Sequence, residues 1–519
     1  MRISRARIVG VSLVLVSICV LGGTGFGTGR GAAGADAAQG KAIATAEDVV
    51  PNEPFLVSDG LMPPPAQYGG PMFKLSHDWP AEELPPVKDP PWFKAIGGGA
   101  IDAQNAPYYV AALKEHVGAS ARTLLLDYAH WDAAKAHWYN EPWMGSARES
   151  IHGTYPGGQF EVSVFPHTGL KTRFDTHVLT YYDERAAHTL YKVWGAGATN
   201  PDVKPENFQF AEGSVIVKAA VFVPDDPKAP KDWWPVTDGA AVWPIYRGIP
   251  AQLPKSVTVL NSYVMQFDII VKDKVASPKT GWVFVTLVYD RNAPGDAWDK
   301  MVPLGAMWGN DPAVNSADKK APPLKETWIN PAAPMYATET LGWGGRLAGP
   351  NDGARNDIQV GKKELVNHPD SSCMSCHGPA EWQPAQHKQA SFLLPSYANA
   401  GPGPPYKSCP DGKPTDQDVC SPAPGSAEWM RWFQDRPGTE AQDADSGSVA
   451  ADYDMVFTFK TLPMWWKATG GKDAPMPFAL RTLRHGAEAP ALFNEYNGAP
   501  LKVPPAEPGT PGVPRAVHW

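Results

Sequence analysis

Residues 281–289 read Gly-Trp-Val-Phe-Val-Thr-Leu-Val-Tyr, an unbroken run of β-branched and aromatic side chains closed by Asp290. A run of that kind bounded by Gly and Asp predicts a strand. Shorter stretches of the same type precede it: Ser-Val-Ile-Val at 214–217, Ala-Ala-Val-Phe-Val at 219–223, Ser-Val-Thr-Val-Leu at 256–260 and Gln-Phe-Asp-Ile-Ile-Val at 266–271. Phe-Glu-Val-Ser-Val-Phe at 160–165 alternates with the period of a half-buried strand, and 453–460 reads as a last strand. Helices are expected over 103–120, 130–143 and 184–194, with one or two turns at 427–434 and a strand-like piece at 123–126. The expectation is an α+β fold, a predominantly antiparallel β-sheet domain with few helices, long ordered loops and Pro-rich terminal arms.

Fifty-five prolines and 49 glycines in 519 residues argue against a helical bundle and suit short strands joined by loops. Arg2, Arg5 and Arg7 precede an apolar run at 8–21 and small residues ending in Ala35-Asp36-Ala37. That order is an export signal, residues 1–37, and it implies a periplasmic or secreted protein. The run is fourteen residues long, short of the roughly 20 that span a bilayer. No integral membrane segment is expected after cleavage. Cys19 lies inside the run and leaves with it. Residues 38–150 read as a Pro-rich arm with short helices, 151–485 as a β-rich domain with insertions at 291–370 and 401–450, and 486–519 as a Pro-rich tail. The formal charge of −8 becomes about −11 once four arginines and one aspartate leave with residues 1–37. With no strong basic patch, nucleic acid is excluded as a partner.

Residues 373–377 read Cys-Met-Ser-Cys-His. Two thiols three positions apart can form thioethers with the vinyl groups of a haem, and the histidine that follows can reach its iron. One such motif predicts one covalently attached haem c, held by Cys373 and Cys376, with His377 as proximal iron ligand. The other ring nitrogen of His377 then needs a backbone carbonyl or a carboxylate. A zinc site would need further ligands, and the only other mature cysteines are Cys409 and Cys420. A redox dithiol belongs at a helix start after a parallel strand, whereas Asn-His-Pro-Asp-Ser-Ser at 367–372 precedes this pair. Twenty tryptophans serve mainly as packing, and a few suit the broad apolar walls that a planar macrocycle requires.

Cys409 and Cys420 enclose a polar loop with Asp411, Asp416 and Asp418, which a disulfide would staple in an oxidising compartment. These acids, or Asp443 and Asp445, are candidate calcium ligands, although neither stretch fits a full calcium loop. The sixth iron position separates the functions. Met464, in Leu-Pro-Met-Trp at 462–465, is the distal candidate with the best context, and Met476 is the next. His387 reads as a surface or supporting residue. A distal Met or His favours outer-sphere electron transfer, and an open position favours a ligand such as nitric oxide, hydroxylamine or peroxide.

The order of these pieces resembles the cytochrome P460 family, which includes the β-sheet form of cytochrome c-prime. The matching segments are 210–218 (Phe-Ala-Glu-Gly-Ser-Val-Ile-Val-Lys), 265–273 (Met-Gln-Phe-Asp-Ile-Ile-Val-Lys-Asp) and 280–284 (Thr-Gly-Trp-Val-Phe). They continue with 372–377 (Ser-Cys-Met-Ser-Cys-His) and 452–457 (Asp-Tyr-Asp-Met-Val-Phe), and 181–194 resembles an early helix of the family. The likeness covers about 180–460, interrupted by long insertions. It implies a haem c held against an antiparallel sheet, with histidine on one face and often no protein ligand on the other. Some members oxidise hydroxylamine and carry a lysine-to-haem crosslink with a distal carboxylate; others bind nitric oxide against an apolar cap. Lys218 lies in a matching segment and is the residue to consider for such a crosslink.

Three readings follow. The first is an exported monohaem c-type cytochrome that carries single electrons through Fe(III)/Fe(II) cycling to a redox partner protein. The second is a P460-like haem enzyme or small-ligand-binding haem protein, with hydroxylamine or related nitrogen oxide chemistry. The third is a haem-bearing structural or interaction component of a larger redox assembly.

Overall fold

Side chains alternate between the two faces of a strand, so a strand apolar at nearly every position is buried on both. Trp282–Tyr289 is such a strand, with all eight side chains buried. The structure is a computed structural model that describes residues 54–58, 62–160, 162–225, 228–248, 257–352, 355–360, 364–369, 371–389, 407–408, 420–421, 424–442 and 447–470. Its main sheet has nine strands: β1 (Trp138–Tyr139), β2 (Tyr155–Phe160), β3 (Phe174–Asp183), β4 (Val215–Pro224), β5 (Val242–Gly248), β6 (Val257–Lys272), β7 (Trp282–Tyr289), β8 (Met301–Met307) and β9 (Thr327–Ile329). The order is β1-β3-β4-β6-β7-β8-β9, with β2 also on β3 and β5 also on β6. Every pair is antiparallel.

The register sets two rows across four central strands. Thr180, Lys218, Asp268 and Thr286 stand opposite one another in turn, as do Tyr182, Ile216, Ile270 and Phe284. Being an even number of residues apart on each strand, the two rows share one face. Val217 and Phe267 point the other way, where they meet Val117, Ala121 and Leu124 of a long helix.

That helix is α2 (Ala106–Leu126), preceded by α1 (Pro91–Ala95). Then come α3 (Glu184–Trp194), α4 (Met335–Thr338), α5 (Cys373–His377), α6 (Ala427–Met430) and α7 (Leu462–Ala468). Asp183 starts α3 as its N-cap, accepting the Ala186 amide at 2.7 Å. Short pairings complete the ladder: β10 (Arg355–Val360) with β11 (Glu364–Pro369), β12 (Glu381–Gln383) with β13 (Lys388–Gln389) and β16 (Val449–Ala450), and β14 (Lys407–Ser408) with β15 (Cys420–Ser421).

The expected predominance of sheet with few helices is overturned. The seven α-helices among the described residues, with shorter helical turns, bring helix to 24% against 21% strand, a mixed α+β fold. The reason lies in short apolar runs, which periodicity alone cannot assign. Residues 123–126, read as strand-like, are the last turn of α2, whose buried Tyr109, Leu113, Val117, Ala121 and Leu124 keep helical spacing. Residues 130–143, read as helix, contain β1 instead. Residues 160–165 leave β2 for a 3-10 turn at Val162–Val164. Residues 453–460, read as a strand, open on positive φ at Asp452 (46°) and Tyr453 (69°) and continue as a π-helix at Val456–Thr461. Within 291–370, read mostly as loop, β8 and β9 join the main sheet.

No helix among the described residues is long and apolar enough to cross a membrane. The export signal 1–37, the Cys409–Cys420 pairing, Asp411, Asp416, Asp418, Asp443, Asp445, Met476 and the tail 486–519 lie outside the described residues.

Candidate haem-attachment site

Serine at both ends of a first helical turn favours reciprocal capping. In α5 the Ser372 hydroxyl accepts the Ser375 amide at 3.1 Å, and the Ser375 hydroxyl accepts the Ser372 amide at 2.8 Å. The chain entering α5 is tied down by Trp343 N to Ser371 O (2.8 Å) and Cys373 N to Leu347 O (2.9 Å). Positions i, i+3 and i+4 lie on one helical face, so Cys373, Cys376 and His377 point together. All three line one cavity, while Met374 turns into the core.

Gly342 permits this entry. A Cβ there would stand 1.9 Å from the Ser371 carbonyl oxygen. Gly342→Ala is expected to displace that carbonyl and cost about 1–3 kcal/mol, as overpacking does. The measurement is the urea midpoint, which falls; a wild-type midpoint would contradict this close approach.

The cavity holds about 130 Å3 of room for the centre of a water-sized molecule and opens to solvent on one side. Its floor is the two rows on the sheet, its far side the segment 452–460. Trp282 and Phe284 supply aromatic walls, and the Phe284 ring meets the His377 ring edge-on at 5.0 Å. Trp343, Trp429, Trp432 and Phe433 form a separate aromatic cluster against Cys376.

His377 Nδ1 lies 2.9 Å from the Tyr453 carbonyl oxygen. A carbonyl only accepts, so Nδ1 carries the proton and the lone pair sits on Nε2. Burial pushes the His377 imidazole down to about 4, with the Tyr453 bond acting in the opposite direction. The ring is therefore neutral at pH 7, the state a metal ligand needs.

The position of Tyr453 is itself fixed. Asp452 Oδ1 accepts Lys272 Nζ at 2.5 Å and Trp282 Nε1 at 2.8 Å, and its Oδ2 accepts the Phe210 amide at 2.9 Å. The next acid, Asp454, accepts the Tyr182 hydroxyl at 2.8 Å and the Val456 and Phe457 amides at 2.7 and 3.2 Å. These bonds turn the chain into the π-helix, a geometry common at functional sites.

Lys218 lines the cavity as one of a buried charged group. Its Nζ lies 3.0 Å from Asp268 and 3.3 Å from Asp352, and Gln266 donates to both acids. Burial would lower the Lys218 ammonium, but Asp268 and Asp352 outweigh it and hold its pKa above the usual lysine range. Burial would likewise raise Asp352, and Lys218 with the Gly349 amide holds it low.

Met464 is buried in α7 but does not line this cavity; the methionine that does is Met455. His387 stacks on Trp466 at 3.6 Å, outside the cavity lining. The acids Asp268, Asp352 and Asp454 were not singled out from the sequence. Asp268 had a signal, as a lone acid inside an apolar strand. Among the described residues, no group of three or more His, Cys, Asp or Glu is placed to hold a metal ion.

The residues present fit a haem. Two cysteines and a neutral histidine share one face, His377 Nε2 is left with its lone pair, and the aromatic and aliphatic walls face a cavity open to solvent. No protein family, curated protein or solved structure matches the chain.

Proposed function

We propose that this chain is an exported c-type haem protein, with Cys373 and Cys376 as thioether attachment points and His377 as the proximal iron ligand. The observation that carries this reading is α5, which presents all three side chains to one cavity. The group would supply reversible one-electron Fe(III)/Fe(II) chemistry. Tyr453 orients the imidazole through its carbonyl, and the Asp452–Lys272 pair holds Tyr453 in place. Trp282, Phe284, Ile216 and Ile270 exclude water from the sheet side. The proposed role is that of an electron carrier to a partner protein.

A second reading, a P460-like protein that binds or converts a small nitrogenous ligand, has a specific observation in its favour. Lys218, Asp268 and Asp352 put buried charges on the cavity wall, and Met464 lies outside it. Optical spectra with and without carbon monoxide or nitric oxide separate the two. A carrier is expected to give a low-spin spectrum that neither gas changes. Prompt ligand binding to a high-spin form would replace that role with the second reading. A reduced spectrum of ordinary c-type shape would argue against a crosslink to Lys218.

A further inference from the structure

Two carboxyl groups are buried at the two ends of the π-helix that borders the cavity, and the electron-carrier reading gives neither a task. Asp454 lines the cavity at the start of the π-helix. Glu141, in the loop after β1, reaches the other end of the same π-helix, where its Oε2 accepts the Thr461 hydroxyl at 3.5 Å. The same oxygen accepts Trp194 Nε1 at 2.9 Å, while Oε1 is buried with no hydrogen-bond partner among the described residues. A nearby cation does not neutralise the carboxylate directly. Arg148 donates instead to the Glu141 backbone carbonyl, at 3.2 Å from each terminal nitrogen. An ionised carboxylate with one oxygen orphaned in the interior is costly, so Glu141 keeps its proton.

We propose that Asp454, in the cavity wall, and Glu141, at the far end of the π-helix, act together as a proton-binding pair, which takes up to one proton from solvent for each electron gained at the His377-ligated group and returns it on oxidation. This rests on the haem reading above. The reductant is the one-electron partner of that reading, and charge balances at full uptake: one electron in, one proton in. The pair suits the task because an added negative charge in a poorly solvated cavity acts strongly on a neighbouring carboxylate.

The surroundings set the direction. Burial, moderated by the Tyr182 hydroxyl and the two backbone amides, pushes Asp454 up to about 6. Burial and then the Asp454 charge push Glu141 well above the usual range. Other charged or titratable groups face them from each packed element. Tyr155 on β2 bonds Thr180 and Tyr182 on β3 bonds Asp454. Lys218 on β4 is held by Asp268 on β6 and by Asp352. Lys272 holds Asp452, Lys460 of the π-helix lies 5.8 Å from the Tyr155 ring centroid, and His377 of α5 bonds Tyr453. Reduction raises the affinity of the pair for a proton further. The midpoint potential is then level below about pH 6, falls above it by up to tenfold in the reduction equilibrium per pH unit, about 59 mV, and levels again once the pair is deprotonated in the reduced state as well.

The test is a spectroelectrochemical titration of the full haem-loaded chain from well below to well above pH 6, with Asp454→Asn and Glu141→Gln as variants. The expected result is a slope in the wild type that Asp454→Asn removes and Glu141→Gln shifts. A protonated-carboxyl band in the redox-difference infrared spectrum should be lost or moved in the same variants. A level wild-type potential, or a slope unchanged in both variants, overturns the pair and leaves the haem reading standing. Absence of haem absorbance from the purified chain overturns that reading and the pair with it. If Asp454→Asn does not fold, Glu141→Gln and the infrared band decide.

Discussion

Changing Cys373 and Cys376 together to alanine is expected to yield a chain that folds but carries no covalently bound pigment. Haem staining after denaturing electrophoresis falls to background, and acid–organic extraction moves any residual haem out of the protein phase. The fold is expected to survive because both cysteines are only partly buried and α5 is capped by Ser372 and Ser375 rather than by a thiol. The stability cost is about 1 kcal/mol for each of the two sites, the ordinary range for a point substitution. His377 keeps its Tyr453 bond in this variant, so weak non-covalent haem binding is the expected remainder. Staining equal to the wild type would remove the two thioethers from the proposal.

Asp452→Ala is expected to be the most destabilising single change near the cavity. It strips Lys272 of its carboxylate, and Lys272 is 3% exposed, so an uncompensated ammonium stays buried. Removing one partner of a buried pair costs about 3–5 kcal/mol. The same change orphans Trp282 Nε1 and the Phe210 amide. Urea unfolding measures the loss. The double variant Lys272→Met with Asp452→Asn should recover part of it, because the buried charge goes while an acceptor for Trp282 stays. A loss below about 1 kcal/mol in Asp452→Ala would show that the pair is not what holds Tyr453 against His377.

Local pattern and long-range closure divide the legibility of this protein. Of the four central strands, β4, β6 and β7 are legible locally because β-branched and aromatic runs between Gly, Pro and Asp are properties of neighbouring residues. Strand β3, interrupted by Asp175, Thr176 and His177, carries no such expectation. The one long helix was only partly read. The apolar piece at 123–126 fits both periods when seen alone, and only packing of α2 on Val217 and Phe267 shows which applies. The expectation of a strand at 453–460 fails for a related reason. Its apolar residues look extended, yet Asp454 bonds its own Val456 and Phe457 amides and turns the chain into a helix.

By itself, the sequence determined the α+β class, the strands β4, β6 and β7, and the Cys-Met-Ser-Cys-His motif with its single-faced spacing, but neither β3 nor β5. Tertiary structure alone decided what faces that motif. His377 and Tyr453 are 76 residues apart, Lys272 and Asp452 are 180 apart, and Tyr182 and Asp454 are 272 apart. It also decided that Lys218 stands in the cavity wall while Met464 lies in the core. The physical reason is that strand periodicity and thiol spacing are fixed within a few residues of chain. A buried proton, an ion pair or a histidine's carbonyl partner exists only when the sheet register and the segment returning from 452 bring distant groups together.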